Sequence, residues 1–335
     1  MLAHEIKSSG FFYLAKPQPG AYVVKGRFTK DGLEGLLLHP DGHEIFKRVY
    51  ASKGLQADVR QLADDITLAA AGRPGISTSQ IAFVSKRSGK PDIYIADYDG
   101  KNIRQITRDG LPKRHPYLSP NGRFLCFTGM ARQGAGIYKI DLASNQRTLI
   151  ATGHGDASER AVVSPDGKSL ALVLAAGGNS DIYISKNSGK SQRRLISSSI
   201  AELQPSWSAD GRSLVYTAVM APGATQLFVV NAKTGKKPTP LAINLPNPTQ
   251  ATWSPDGRRI AFVSGTGSNT QIAIHHLRDR SNRVLTTGQS PAWGADSKHL
   301  IYVDRGSLYR IDVDSGKKQK LISGGSAVYD PSWTR

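Results

Sequence analysis

The chain has 335 residues and a formal charge of +18, from 44 Lys and Arg against 26 Asp and Glu. Its single cysteine, Cys126, excludes an intramolecular disulfide and a cysteine-built zinc site, and the apolar context RFLCFTG predicts a buried, inert thiol. No apolar run is long enough to cross a bilayer as a helix, and the opening residues, MLAHEIKSSG, lack the basic, apolar and small-residue order of a secretory signal.

In chain order, Leu2 to Ser9 predicts a short helix. Three strands follow, near Ala21–Phe28, Leu33–His39 and Glu44–Tyr50, joined by turns at Asp31-Gly32 and Pro40-Asp41-Gly42. The run DVRQLADDITLAAA, Asp58 to Ala71, places Val59, Leu62, Ile66 and Ala70 at helical spacing, and Gly72 ends it. Residues 1–75 therefore form a small α+β domain, marginal alone because so short a chain buries a modest core.

A repeat begins near residue 76. Five near-copies of Ser-Pro-Asp-Gly occur at Ser119–Gly122, Ser164–Gly167, Ser208–Gly211, Ser254–Gly257 and Gly294–Ser297. Their third positions, Asn121, Asp166, Asp210, Asp256 and Asp296, step by 45, 44, 46 and 40 residues, a spacing typical of four-stranded propeller blades. In the cleanest copy the strands fall at Ala251–Ser254, Arg259–Ser264, Gln271–Leu277 and Arg283–Thr287. Proline presets φ in the turn, aspartate accepts backbone N–H groups and glycine supplies the left-handed conformation. Trp207, Trp253 and Trp293 precede the turns and Trp333 sits at the matching place, the pattern of an aromatic wedge packed between blades.

The first repeat, Thr78–Thr107, lacks a first strand, whereas Tyr329–Thr334 is a first strand without successors. Joining them predicts a mainly β protein: a six-bladed β-propeller of four-stranded blades over 76–335, closed by the C-terminal strand 329–334, after the small N-terminal α+β domain.

Residues 1–75 hold 10 Lys and Arg against 8 Asp and Glu, so the propeller carries the charge. Its basic residues gather between third and fourth strands, for example at Lys233, Lys236 and Lys237, and at Lys317, Lys318 and Lys320. Such a girdle would attract a polyanion, or would simply be a solvated rim.

Catalytic patterns are missing: no G-x-S-x-G elbow, no H-E-x-x-H and no P-loop. The eight histidines show no metal spacing, His39 and His43 reading as turn or strand surface, and one carboxylate per turn is too few for calcium. No catalytic residue, metal or cofactor is expected. What does recur is a variable pair just before each first strand, where a propeller chain arrives at its central channel. These pairs are Arg114 and His115, Glu159 and Arg160, Leu203 and Gln204, Thr249 and Gln250, Gln289 and Ser290, and Tyr329 and Asp330. Variable residues on a repeated scaffold either form a partner-binding mouth or are ordinary loop positions.

The repeat form PxWSPDGxxIAFVS…IYxxDxxxGxxxxLT resembles the TolB propeller family. The segments LAHEIKSSGFFYL, AYVVKGRFTKDG, DVRQLADDITLAAAGRPGISTSQIAFVS and DIYIADYDGKNIRQIT resemble, in order, the amino domain of that family and its junction with the first blade. The resemblance implies a periplasmic, monomeric, non-enzymatic component of the Tol-Pal envelope system. It also implies a Pal-like lipoprotein bound at the channel mouth, with a TolA-like protein contacted through an N-terminal tail, and nucleic acid is not expected as a partner. The family pattern has a signal peptide, a tail and a strand ahead of the helix matched by Leu2 to Ser9, so the chain reads as a member shortened or divergent at its start. The alternatives from the residues are the propeller module of a peptidase-like enzyme lacking its catalytic domain, and a polyanion binder using the basic rim.

Overall fold

The computed structural model describes residues 1–13, 15, 18–51, 54–131, 134–152, 160–176, 178–196, 198–221 and 223–334. The chain divides into two compact units, Met1–Ser79 and Gln80–Arg335.

In the first unit, α1 (Leu2–Ser8) precedes an antiparallel sheet of β1 (Val23–Thr29), β2 (Gly32–Leu38) and β3 (Glu44–Tyr50), and α2 (Leu55–Ala71) follows. Strand β2 alternates buried and half-buried residues, as a sheet with one covered face does. Its Leu33 and Leu37 pack with Val59, Leu62 and Ile66 of α2 and Ile6 of α1. Gly35 is needed for that approach, since a Cβ there would lie 2.5 Å from the Leu62 side chain. Gly72 ends α2 in the left-handed conformation, its N–H donating to the Leu68 carbonyl. From α2, buried Asp64 accepts hydrogen bonds from the N–H groups of Ser77 (2.8 Å) and Thr78 (2.9 Å) and from the Thr78 hydroxyl (2.6 Å), fixing the segment that leaves this unit.

The second unit contains six four-stranded antiparallel sheets among the described residues. Their edge strands on one side are Lys113–Leu118, Arg160–Val163, Glu202–Trp207, Thr249–Trp253, Gln289–Trp293 and Val328–Trp333. The last of these pairs with Gln80–Ser85, so the two ends of the unit share one sheet. Each edge strand touches the next sheet's edge strand, and Val328–Trp333 touches both Gln289–Trp293 and Lys113–Leu118, closing the series into a ring. Closure leaves no face of the stack open to water or to another chain.

The cores lie between neighbouring sheets. One apolar cluster joins Val162, Val173 and Ile182 of one sheet to Trp207, Leu214 and Val230 of the next. All four tryptophans are buried. Trp207 donates its indole N–H to the Val162 carbonyl and Trp293 to the Thr252 carbonyl, each reaching the preceding sheet at 3.1 Å. Trp253 instead bonds Gly257 of its own turn, 3.3 Å away.

Candidate binding site at the centre of the ring

Along the sequence, five of the six edge strands are followed by a near-copy of the Ser-Pro-Asp-Gly turn, whose chemistry is internal. Ser164 donates to Asp166 Oδ1 (2.6 Å), that oxygen accepts the Lys168 N–H (3.0 Å), and the Ser169 N–H returns to Ser164 Oγ (2.9 Å). The same three bonds recur at Ser208 and Asp210 and at Ser254 and Asp256. Gly167, Gly211 and Gly257 hold φ near +70. Hydrogen bonding to Ser164 and to backbone holds the Asp166 carboxyl below its usual range, consistent with an ionised acceptor engaged by the hairpin.

At the start of the same strands the backbone is irregular. The ladder slips between Arg114 and Tyr117, Leu203 and Ser206, Thr249 and Thr252, Gln289 and Ala292, and Tyr329 and Ser332. Within each slip one non-glycine residue takes a positive φ: His115 (49°), Gln204 (55°), Gln250 (52°), Ser290 (55°) and Asp330 (45°). Such a conformation costs about 1 kcal/mol or more for an L residue, so its recurrence at five matching positions requires compensation. Much of it comes from the neighbouring sheet. Gln204 Oε1 accepts the Gln250 N–H (2.8 Å), Gln250 Oε1 accepts the Ser290 N–H (2.6 Å), and Asp330 Oδ2 accepts the His115 N–H (3.2 Å). The sixth edge strand, Arg160–Val163, pairs without a slip.

A cavity of about 90 Å³ opens where the edge strands converge, lined by His115, Arg160, Gln204, Gln250, Ser290 and Asp330 together with the strand residues that follow them. It has room for a few waters and falls short of the roughly 300 Å³ of a small-molecule pocket. Of the twelve residues expected at the mouth, the structure gathers these six around one space. Their companions Arg114, Gln289 and Tyr329 are exposed, Thr249 is half-buried, and Leu203 packs against the apolar cluster under Trp207. Glu159 lies outside the described residues.

The site's charge is concentrated on one side. His115 Nδ1 lies 3.2 Å from Asp330 Oδ2. Burial would raise the Asp330 carboxyl, but the hydrogen bond and charge of His115 and the charge of Arg160 hold it at about 2. Burial lowers the Arg160 guanidinium, offset in part by Asp330, and its Nε has no hydrogen-bond partner among the described residues. The arrangement offers a cation, an imidazole and amide and hydroxyl groups to a docking surface. Among the described residues the cavity lining contains no nucleophile and base paired for covalent chemistry.

Two features differ from what the sequence suggests. Several basic side chains of the girdle cross to a neighbouring sheet rather than standing free: Arg193 donates to the Ala232 carbonyl (3.1 Å), Lys318 to the Thr286 hydroxyl (2.7 Å), and Arg283 to the Val313 carbonyl. In the first unit, His39 and His43 come together with Asp41, because a hairpin turn brings residues four apart face to face as a helix would. Their spacing is that of a helical pair, but a turn between strands is where residues four apart are not expected to meet.

The sequence model of the TolB beta propeller domain matches residues 69–335. The chain is 28% identical over 208 residues to a protein TolB homolog of Chlorobium chlorochromatii, covering 59% of this chain and 46% of that one. It is 29% identical over 208 residues to the Tol-Pal system protein TolB of Bordetella pertussis, covering 61% and 45%. The matched stretch thus spans about half the length of these curated relatives. The crystal structure of TolB from Acinetobacter baumannii superposes with a TM-score of 0.81 at 23% identity, covering 99% of this chain and 92% of that one, a likeness of fold.

Proposed function

The chain belongs to the TolB β-propeller domain family, and on that premise we propose that it is a six-bladed, non-enzymatic binding protein of the Tol-Pal cell-envelope system that holds a Pal-like lipoprotein at the mouth of its central cavity. Residues 1–75 then serve as an amino domain and 76–335 as the propeller, closed by 329–334, in the periplasm. The observation that carries the reading is the convergence of six edge strands on one cavity, five of them bulged to turn a polar residue into it. Strained backbone maintained at equivalent positions is a mark of recognition surfaces, and a cavity this narrow suits the tip of a protein loop better than a small ligand.

Arg160 gives the mouth a cationic group beside the Asp330 carboxylate, and His115 an imidazole, so the partner segment would be polar with at least one acceptor or carboxylate. Isothermal titration of the soluble domain of a Pal-like lipoprotein tests this. Binding should weaken at least about tenfold in Arg160→Ala, where a half-buried guanidinium lining the mouth is removed. Undiminished binding by Arg160→Ala and His115→Ala together would exclude this mouth.

A further inference from the structure

The turn between β2 and β3 reads His39-Pro40-Asp41-Gly42-His43. Its backbone is closed by hydrogen bonds from the His39 N–H to the His43 carbonyl (2.9 Å) and from the Gly42 N–H to the His39 carbonyl (2.8 Å), with Gly42 at φ +95. That closure sets the two imidazoles side by side, stacked with centroids 4.6 Å apart and planes 22° from parallel. Tyr22 meets His39 edge-on at 5.7 Å and steadies one ring.

Asp41 sits between them. Its Oδ1 lies 3.0 Å from His39 Nδ1 and 2.5 Å from His43 Nδ1, and it accepts the His43 N–H at 3.1 Å. One donor atom from each of the three residues falls within 4.8 Å of the others. All three side chains reach solvent, Asp41 and His43 being exposed and His39 partly so.

We propose that His39, Asp41 and His43 form a binding site for a divalent transition-metal ion of the zinc class. Two imidazole nitrogens and one carboxylate oxygen are the donor set such ions take, leaving further positions for water or an outside ligand. Ligand atoms about 2.0–2.2 Å from zinc stand roughly 3.3 Å apart in a tetrahedron, so each imidazole nitrogen needs to draw away from the Asp41 oxygen by only a few tenths of an ångström to about 1 Å. Exposed side chains on a hairpin tip can make that adjustment. Neutral imidazole carries a single ring proton, and placing it on Nε2 frees the Nδ1 lone pair without net proton release. The turn then keeps its two backbone hydrogen bonds while the ion takes the place of the direct Nδ1 contacts to the Asp41 carboxylate.

The test is isothermal titration of the full chain, first treated with chelator, with zinc chloride alone. One ion per chain should bind, and His39→Ala and His43→Ala should each weaken binding at least about tenfold, while His276→Ala, on a strand of the second unit, should leave it unchanged. In the unaltered chain, zinc should also shift the ring-proton NMR signals of His39 and His43, a readout that needs no variant. Absence of those shifts, or wild-type zinc affinity in both His39→Ala and His43→Ala, would overturn the proposal.

Discussion

Two irregular places recur around the ring, the hairpin turn after an edge strand and the bulge at its start, and they are built differently. The turn repeats its residues: serine, aspartate and glycine at Ser164, Asp166 and Gly167 recur at Ser208, Asp210 and Gly211 and at Ser254, Asp256 and Gly257, with the same three bonds. The bulge repeats its geometry while changing its residues, so that histidine, glutamine, serine and aspartate all occupy one positive-φ position. A conserved set of bonds inside one turn needs the same atoms every time. A bulge stapled across sheets by whichever acceptor is present, Gln204, Gln250 or Asp330, can vary its side chain and still stand while lining the cavity.

The sharpest way to separate scaffold from site is Trp207→Ala. It removes a side chain only 4% exposed that bonds the preceding sheet and does not line the central cavity, and should cost about 3–5 kcal/mol in urea unfolding, while whatever folds still binds its partner normally. Loss of binding in protein that remains folded would show that the wedge belongs to the site.

Next in size is the acid response of Asp330. Its folded pKa of about 2 lies below the unfolded value of 3.8, so it contributes stability above about pH 4 that disappears as pH falls through about 2. The wild type should exceed Asp330→Asn by up to about 2 kcal/mol at pH 6, and denaturant unfolding should show the two converging near pH 2. A gap that ignores pH would mean that the carboxylate's charge contributes nothing at the bulge.

Smaller still is the staple. Gln250→Ala removes the acceptor of the Ser290 N–H and leaves an L residue at φ 52, at an expected loss of about 1–2 kcal/mol, whereas Gln250→Gly should recover part of it by relieving the backbone. If alanine and glycine unfold at the same denaturant concentration, strain is not stored there. Asp166→Ala, in an exposed turn, should cost about 1 kcal/mol or less and leave partner affinity intact, with a shift of a few tenths of a molar in the urea midpoint as the check.

The strands were legible because turn chemistry and two-residue alternation are local signals. Arg259–Ser264 falls on the residues its pattern predicts, and the three N-terminal strands lie within two residues of their predicted bounds. Fourth strands were less so: Arg104–Gln105, Arg193–Arg194 and Thr239–Pro240 shrink to two residues at the outer edge, where little packing rewards a longer ladder. At the mouth, the position of the variable pairs could be read from the repeat, yet which member faces the cavity could not. That choice is made by the bulge, and no glycine marks it, since His115, Gln204 and Asp330 take left-handed backbone under tertiary bonds to the next sheet. The His39 and His43 pair escaped notice for a related reason: adjacency across a hairpin depends on how the turn closes.

The division of labour between turn and bulge is tested most directly by titrating the soluble domain of a Pal-like lipoprotein into the wild type, Arg160→Ala and Asp166→Ala side by side, with melting temperatures recorded for each. The expected result is affinity lost by at least about tenfold in Arg160→Ala at a nearly unchanged melting temperature, and retained in Asp166→Ala. Equal affinity in all three, or loss in the turn variant alone, would contradict a binding site at the centre of the ring.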